Sequence, residues 1–164
     1  MSRLLAKSLL LLGALTLSTP VQAVCVCSCT INSTTAVAFG TYNPLPGTSM
    51  DGTGLIRTTC EVLVGVLSGF SIALGPGNRG NYSGPRQMKS GANNLLYNLY
   101  TTTSYTSVWG NGTAGTVLRF DGSLLTLLGV FHRDFFVYGR ILPGQQTTPV
   151  GVYSDTITVT VTFN

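Results

Sequence analysis

An all-β exported domain is the fold class that this 164-residue sequence predicts, and three observations predict it. The first is the stretch Ser154 to Asn164, where Thr156, Thr158, Thr160 and Thr162 alternate with Ile157, Val159, Val161 and Phe163. Successive strand side chains point to opposite faces, so this run has a wet face and a buried one. Its β-branched residues suit a pleated, half-buried surface and count against a helix. The second is punctuation: 20 glycines and 7 prolines cut the chain into short apolar runs, the pattern of a sandwich or barrel. The third is that only 9% of residues are charged while 44% are hydrophobic, behind an amino terminus that reads as an export address.

In that address Arg3 and Lys7 supply the charged region, Leu9 to Leu17 the apolar region, and Val21-Gln22-Ala23 the cleavage site. Residues 1–23 are therefore expected to be a signal peptide and 24–164 one domain. The apolar run is too short for a membrane span, and no later segment suggests one after cleavage. Val24 before Cys25 argues against lipidation. Losing Arg3 and Lys7 lowers the formal charge from +4 to about +2, which implies no nucleic-acid partner.

Taken in order, Thr30 to Phe39 predicts a strand ended by Gly40, and Tyr42 to Gly47 a proline-rich connection. Asp51-Gly52-Thr53-Gly54 reads as a turn into a strand from Leu55 to Cys60. Val62 to Leu74 reads as one or two buried strands bent at Gly65 and Gly69. Gly75 to Gly80 spells Gly-x-Gly-x-x-Gly, but no helix pattern follows and Pro76 sits in the turn, so a hairpin loop is expected instead of a phosphate cradle. Pro85 to Lys89 and Asn94 to Thr101 are the next strands. Asn111-Gly112 is a hairpin signal. Leu118 to Phe120, Leu124 to Val130 and Phe135 to Ile141 precede the prolines that lead into the terminal strand.

Four cysteines follow the cleavage site: Cys25, Cys27, Cys29 and Cys60. In an exported chain they predict disulfides. Near neighbours along an extended segment are awkward to bridge, which favours Cys29 with Cys60 and leaves Cys25 and Cys27 open. The one-residue spacing and oxidising compartment count against zinc.

Little here predicts catalysis. His132 lies beside Arg133 and Asp134 without a nucleophile elbow. The carboxylates Asp51, Glu61, Asp121, Asp134 and Asp155 are scattered beside turns and strand starts. No enzyme activity, cofactor or metal is implied. The aromatic clusters Tyr97, Tyr100, Tyr105, Trp109 and Phe131, Phe135, Phe136, Tyr138 read as core and cross-strand packing before ligand binding. Asn32, Asn81 and Asn111 each open an Asn-x-Ser/Thr triplet, which alone does not decide modification.

Cys29-Thr30-Ile31, Val37 to Leu45, Leu96 to Thr101, Val108 to Gly112, Val137-Tyr138-Gly139-Arg140-Ile141 and Gly151 to Val159 together resemble the spore coat protein U domain family, in order and across the mature chain. That family includes subunits of archaic, Csu-type chaperone-usher pili. The resemblance implies an immunoglobulin-like sandwich that is incomplete, lacking its last strand. It also implies three partners: a periplasmic pilus chaperone that lends a strand, an outer-membrane usher, and neighbouring pilin subunits that replace the chaperone's strand with their own. Matching positions for the chaperone and donor-strand edge are Ile157, Val159, Val161 and Phe163, with the terminal carboxylate on Asn164. The expected route is through the periplasm to a fimbrium at the cell surface. Rod subunits of this kind carry a donor extension longer than the Val24 to Ser28 that cleavage would leave ahead of Cys29, which suggests a minor or tip-proximal subunit. A self-sufficient coat or matrix protein, or an adhesin binding glycans through Trp109, are the rival expectations.

Overall fold

A computed structural model describes residues 26–64, 69–122 and 129–163. Residues 1–25, which include the expected signal peptide and Cys25, Gly65 of the predicted bend, residues 124–128 of the predicted Leu124 to Val130 strand, and Asn164 lie outside the described residues. Among the described residues eight strands form: β1 (Val26–Thr35), β2 (Met50–Val64), β3 (Phe70–Leu74), β4 (Arg86–Ser90), β5 (Asn93–Tyr100), β6 (Arg119–Asp121), β7 (Gly129–Ile141) and β8 (Val159–Phe163). They make two antiparallel sheets, one ordered β1-β2-β7-β5-β4 and one ordered β6-β3-β8.

Alternation builds the core between them. Ile56, Thr58, Cys60 and Val62 of β2 turn inward and are buried, as do Phe135, Val137 and Ile141 of β7 and Leu95, Tyr97 and Leu99 of β5. Phe70, Ile72 and Leu74 of β3 cover them from the opposite sheet. Trp109 is fully buried, donates from Nε1 to the Ile72 carbonyl at 2.9 Å, and meets Phe135 edge-on with ring centroids 6.5 Å apart. Burial of this kind contributes roughly 1.5–3 kcal/mol per large apolar side chain.

Several sequence expectations change in three dimensions. Asp51 to Gly54 is not a turn; it lies inside β2, paired to Arg140, Gly139, Tyr138 and Val137. The glycines are there because another segment crosses them: a Cβ on Gly54 would lie 2.6 Å from the Thr35 carbonyl oxygen, and one on Gly139 2.5 Å from a Val37 methyl. The predicted strand Thr30 to Phe39 starts earlier, at Val26, and leaves its ladder at Thr35 to pass over that glycine pad. Gly75 to Gly80 contains a 3₁₀ turn at Gly77–Arg79 and carries the chain between sheets, so it is no hairpin. Asn111-Gly112 likewise sits in an inter-sheet loop, where Trp109 and Val117 form a parallel bridge.

Cys29 and Cys60 stand opposite each other in the β1–β2 register and are joined by a disulfide. Cys27 is also disulfide-bonded. Replacing Cys29 and Cys60 with alanine is expected to lower unfolding free energy by about 3 kcal/mol, the chain-entropy value for a loop of this size. A urea titration checks this, and a change below about 1 kcal/mol would reject it.

Candidate functional site: an open groove along the terminal strand

The last stretch belongs to both sheets. Ser154 exchanges two backbone hydrogen bonds with Lys89 of β4, at 2.8 and 3.0 Å. Beyond it the Gly75 amide donates to the Thr158 carbonyl at 2.8 Å, and Val159 to Phe163 then pair with Leu74 to Phe70. The chain changes neighbours between 155 and 158, so the ladder covers only Val159 to Phe163 although the alternation begins at Thr156.

β8 is an edge strand of its sheet. Backbone groups alternate in direction along a strand, and the Thr158 carbonyl points to β3. Those of Ile157, Val159 and Val161 therefore point the other way, where no described strand pairs with them. Beside this edge runs a groove of about 650 Å³. One wall is the segment from Thr34 to Tyr42 and the other runs from Val152 to Ile157 and on to Val159. The floor is the core itself: Ile56, Leu74, Met88, Leu95, Leu99 and Val137.

Each wall is anchored by its own chemistry. Val37 and Phe39 point inward against the core while Ala36, Ala38 and Gly40 are exposed. The Phe39 ring meets Tyr97 edge-on at 6.0 Å. Tyr42 and Gly151 exchange backbone hydrogen bonds at 2.9 and 3.3 Å, so the two walls meet there. On the other wall Asp155 accepts from the Tyr97 hydroxyl, the Asn78 amide and the Thr156 amide, each at 2.7 Å. Burial pushes the Tyr97 hydroxyl pKa well up, and its bond to Asp155 adds to the rise, so Tyr97 remains a donor at any ordinary pH.

Under this wall lies a group the sequence reading missed. Arg86 is 2% exposed and, among the described residues, has no carboxylate partner. Its Nε donates to the Gly75 carbonyl at 2.9 Å, and its Nη2 to the carbonyls of Trp109 at 2.7 Å and Leu74 at 3.2 Å. Burial lowers its pKa, while Tyr97, Tyr82 and Asp155 act in the opposite direction. One guanidinium thus ties β4, the end of β3 and the Trp109 loop together.

The proposed edge residues divide in place. Ile157 and Val159 line the groove, whereas Val161 and Phe163 face Ile72 and Phe70 farther along the strand. Ile157, Val159 and Val161 are only half-buried, and Phe163 is 44% exposed. The fourfold alternation has a core on one side and nothing described over its outer edge. His132 contacts Thr59 Oγ1 through Nδ1 at 3.0 Å on the far face of the larger sheet, beside the Arg57–Asp134 ion pair. Among the described residues, no group of three or more His, Cys, Asp or Glu could hold a metal, and no helix is long and apolar enough to cross a membrane.

Two antiparallel sheets, a disulfide across the first hairpin and an open edge on the terminal strand define the class: an immunoglobulin-like sandwich with one strand position open. The chain belongs to the Spore Coat Protein U domain family, whose profile matches residues 15–160. It is 33% identical over 133 residues to Protein U of Myxococcus xanthus, covering 76% of this chain and 70% of the relative. Its fold is shared with the solved CsuC–CsuE chaperone–tip adhesion subunit pre-assembly complex from the archaic chaperone-usher Csu pili of Acinetobacter baumannii. There the TM-score is 0.57 at 24% identity, with 84% of this chain matched to 40% of that one.

Proposed function

We propose that this protein is a non-enzymatic subunit of a surface fimbria of the archaic chaperone-usher type, assembled by donor-strand complementation. The observation that carries the reading is the groove beside β8: an apolar trough with unpaired backbone groups along one wall. Such an edge is a liability in an isolated domain. A partner strand satisfies it twice, through main-chain hydrogen bonds and through alternate side chains seated in the floor. A periplasmic chaperone would supply that strand first, and a neighbouring subunit would replace it at an outer-membrane usher. Residues 1–23 act as the export signal and the domain follows from residue 24.

A minor or tip-proximal position fits the pairing of β1. Val26, Cys27 and Ser28 are already paired in β1 with Val64, Val62 and Glu61, so they are committed to their own sheet and not free to donate. Trp109, the expected glycan contact, is fully buried.

Periplasmic expression with and without a chaperone of the same pilus class tests the proposal. The expected result is folded protein recovered mainly as a one-to-one complex. A chaperone-free monomer with a cooperative melt, unchanged by adding chaperone, would instead support the rival reading of a self-sufficient coat or matrix protein.

A further inference from the structure

The threonine face of the terminal stretch has a use of its own. Thr158 and Thr160 point away from the groove and line a second cleft, of about 650 Å³, on the outer surface of the smaller sheet. Its floor is small: Ala73 lies opposite Thr160 in the ladder, and a Cβ on Gly75 would meet only Thr158, at 3.4 Å. Its walls are two loops of matching construction. In one, the Ser83 amide and hydroxyl donate to Asn81 Oδ1 at 3.0 and 2.7 Å. In the other, the Thr113 amide and hydroxyl donate to Asn111 Oδ1 at 3.1 and 2.6 Å. Each carboxamide is thereby fixed by its oxygen, and neither Nδ2 amide has a partner among the described residues.

No charged side chain lines this cleft. An ionic ligand would find no counter-charge in the lining and would lose hydration on entry. A neutral polyhydroxylated ligand would not, since two fixed amide donors, the threonine hydroxyls and a floor of small apolar groups match its alternating hydroxyl and C–H surfaces. We infer that the cleft between the Asn81 and Asn111 loops is a binding site for neutral saccharides. It is separate from the groove, because a strand added at the edge of β8 would lie beside Thr158 and Thr160 and leave them uncovered. The two sites can be filled together.

The test uses purified protein on an array of neutral and acidic oligosaccharides, with Asn81→Asp and Asn111→Asp as variants. Aspartate retains the Oδ1 acceptor that holds each turn while exchanging the amide donor for a charged acceptor oxygen on an exposed loop, so melting temperature should be unchanged. The expected result is retention of neutral glycans by the parent protein, weakened at least tenfold in each variant. Retention of no neutral glycan at millimolar saccharide, preference for acidic glycans, or equal binding by both variants would each overturn the inference.

Discussion

Joining an alternating apolar strand to the end of β8 through a short flexible linker should raise the thermal midpoint by about 10 °C. Three side chains seated between Val37, Phe39, Ile157 and Val159 would each contribute roughly 1.5–3 kcal/mol by burial. Ordering the added strand costs about 1–2 kcal/mol per residue, offset in part by the ladder it forms with Ile157, Val159 and Val161. A net gain near 3 kcal/mol corresponds to a shift of about 10 °C in a domain of this size. The register is testable as well. Because side chains alternate with period two, the same donor shifted by one residue turns its apolar face to solvent and should give no rise. Ile157→Asp places a carboxylate on the groove wall and should abolish the gain. Calorimetry on the three proteins decides the matter, and equal midpoints for the in-register and shifted donors would refute strand insertion.

Arg86→Met should remove about 2–4 kcal/mol of stability, because buried carbonyl acceptors lose their donor. The substitution keeps much of the side-chain volume but strands the Gly75 and Trp109 carbonyls that Arg86 satisfies, while the Leu74 carbonyl keeps the Tyr82 hydroxyl. Unsatisfied buried acceptors cost about 1–3 kcal/mol each, reduced wherever water can enter. Against a net stability of roughly 5–15 kcal/mol, that loss is a substantial fraction. Arg86→Lys should fall between, since one ammonium lacks the planar fork that spans three carbonyls. Urea unfolding of the three proteins measures the order. A loss under about 1 kcal/mol for the methionine variant would show that the guanidinium does not hold the sheets together.

The strands that sequence reading placed are those whose pattern is local. β5 and the Phe135 to Ile141 part of β7 were legible because inward apolar residues recur at every second position. So was the Cys29–Cys60 pair, since Cys60 is the one cysteine remote enough along the chain to stand on a neighbouring strand; the sequence leaves open that Cys27 is bonded as well. Misreadings arose where a residue's role depends on a distant segment. Gly52 and Gly54 looked like turn residues, but they sit in a strand because Thr35 to Val37 passes within van der Waals distance. Arg86 lies in a segment the sequence marks only as a strand, Pro85 to Lys89, and its surroundings alone make it a buried clamp. The Asn111-Gly112 signal fixed a local turn without fixing which strands it joins.

By itself the sequence determined the all-β class, the polarity of the terminal run and the family. Those follow from side-chain periodicity and from motif order, which are properties of the chain alone. The tertiary structure decided where the run changes sheets, which of its apolar residues line the groove, and that its threonines form the floor of a separate cleft. An open edge exists only in relation to the strands that do and do not lie beside it. Alternation can say that Ile157 and Val159 face away from Thr158 and Thr160, but only the packing of Thr34 to Tyr42 against one side and of the Asn81 and Asn111 loops against the other says what each face meets.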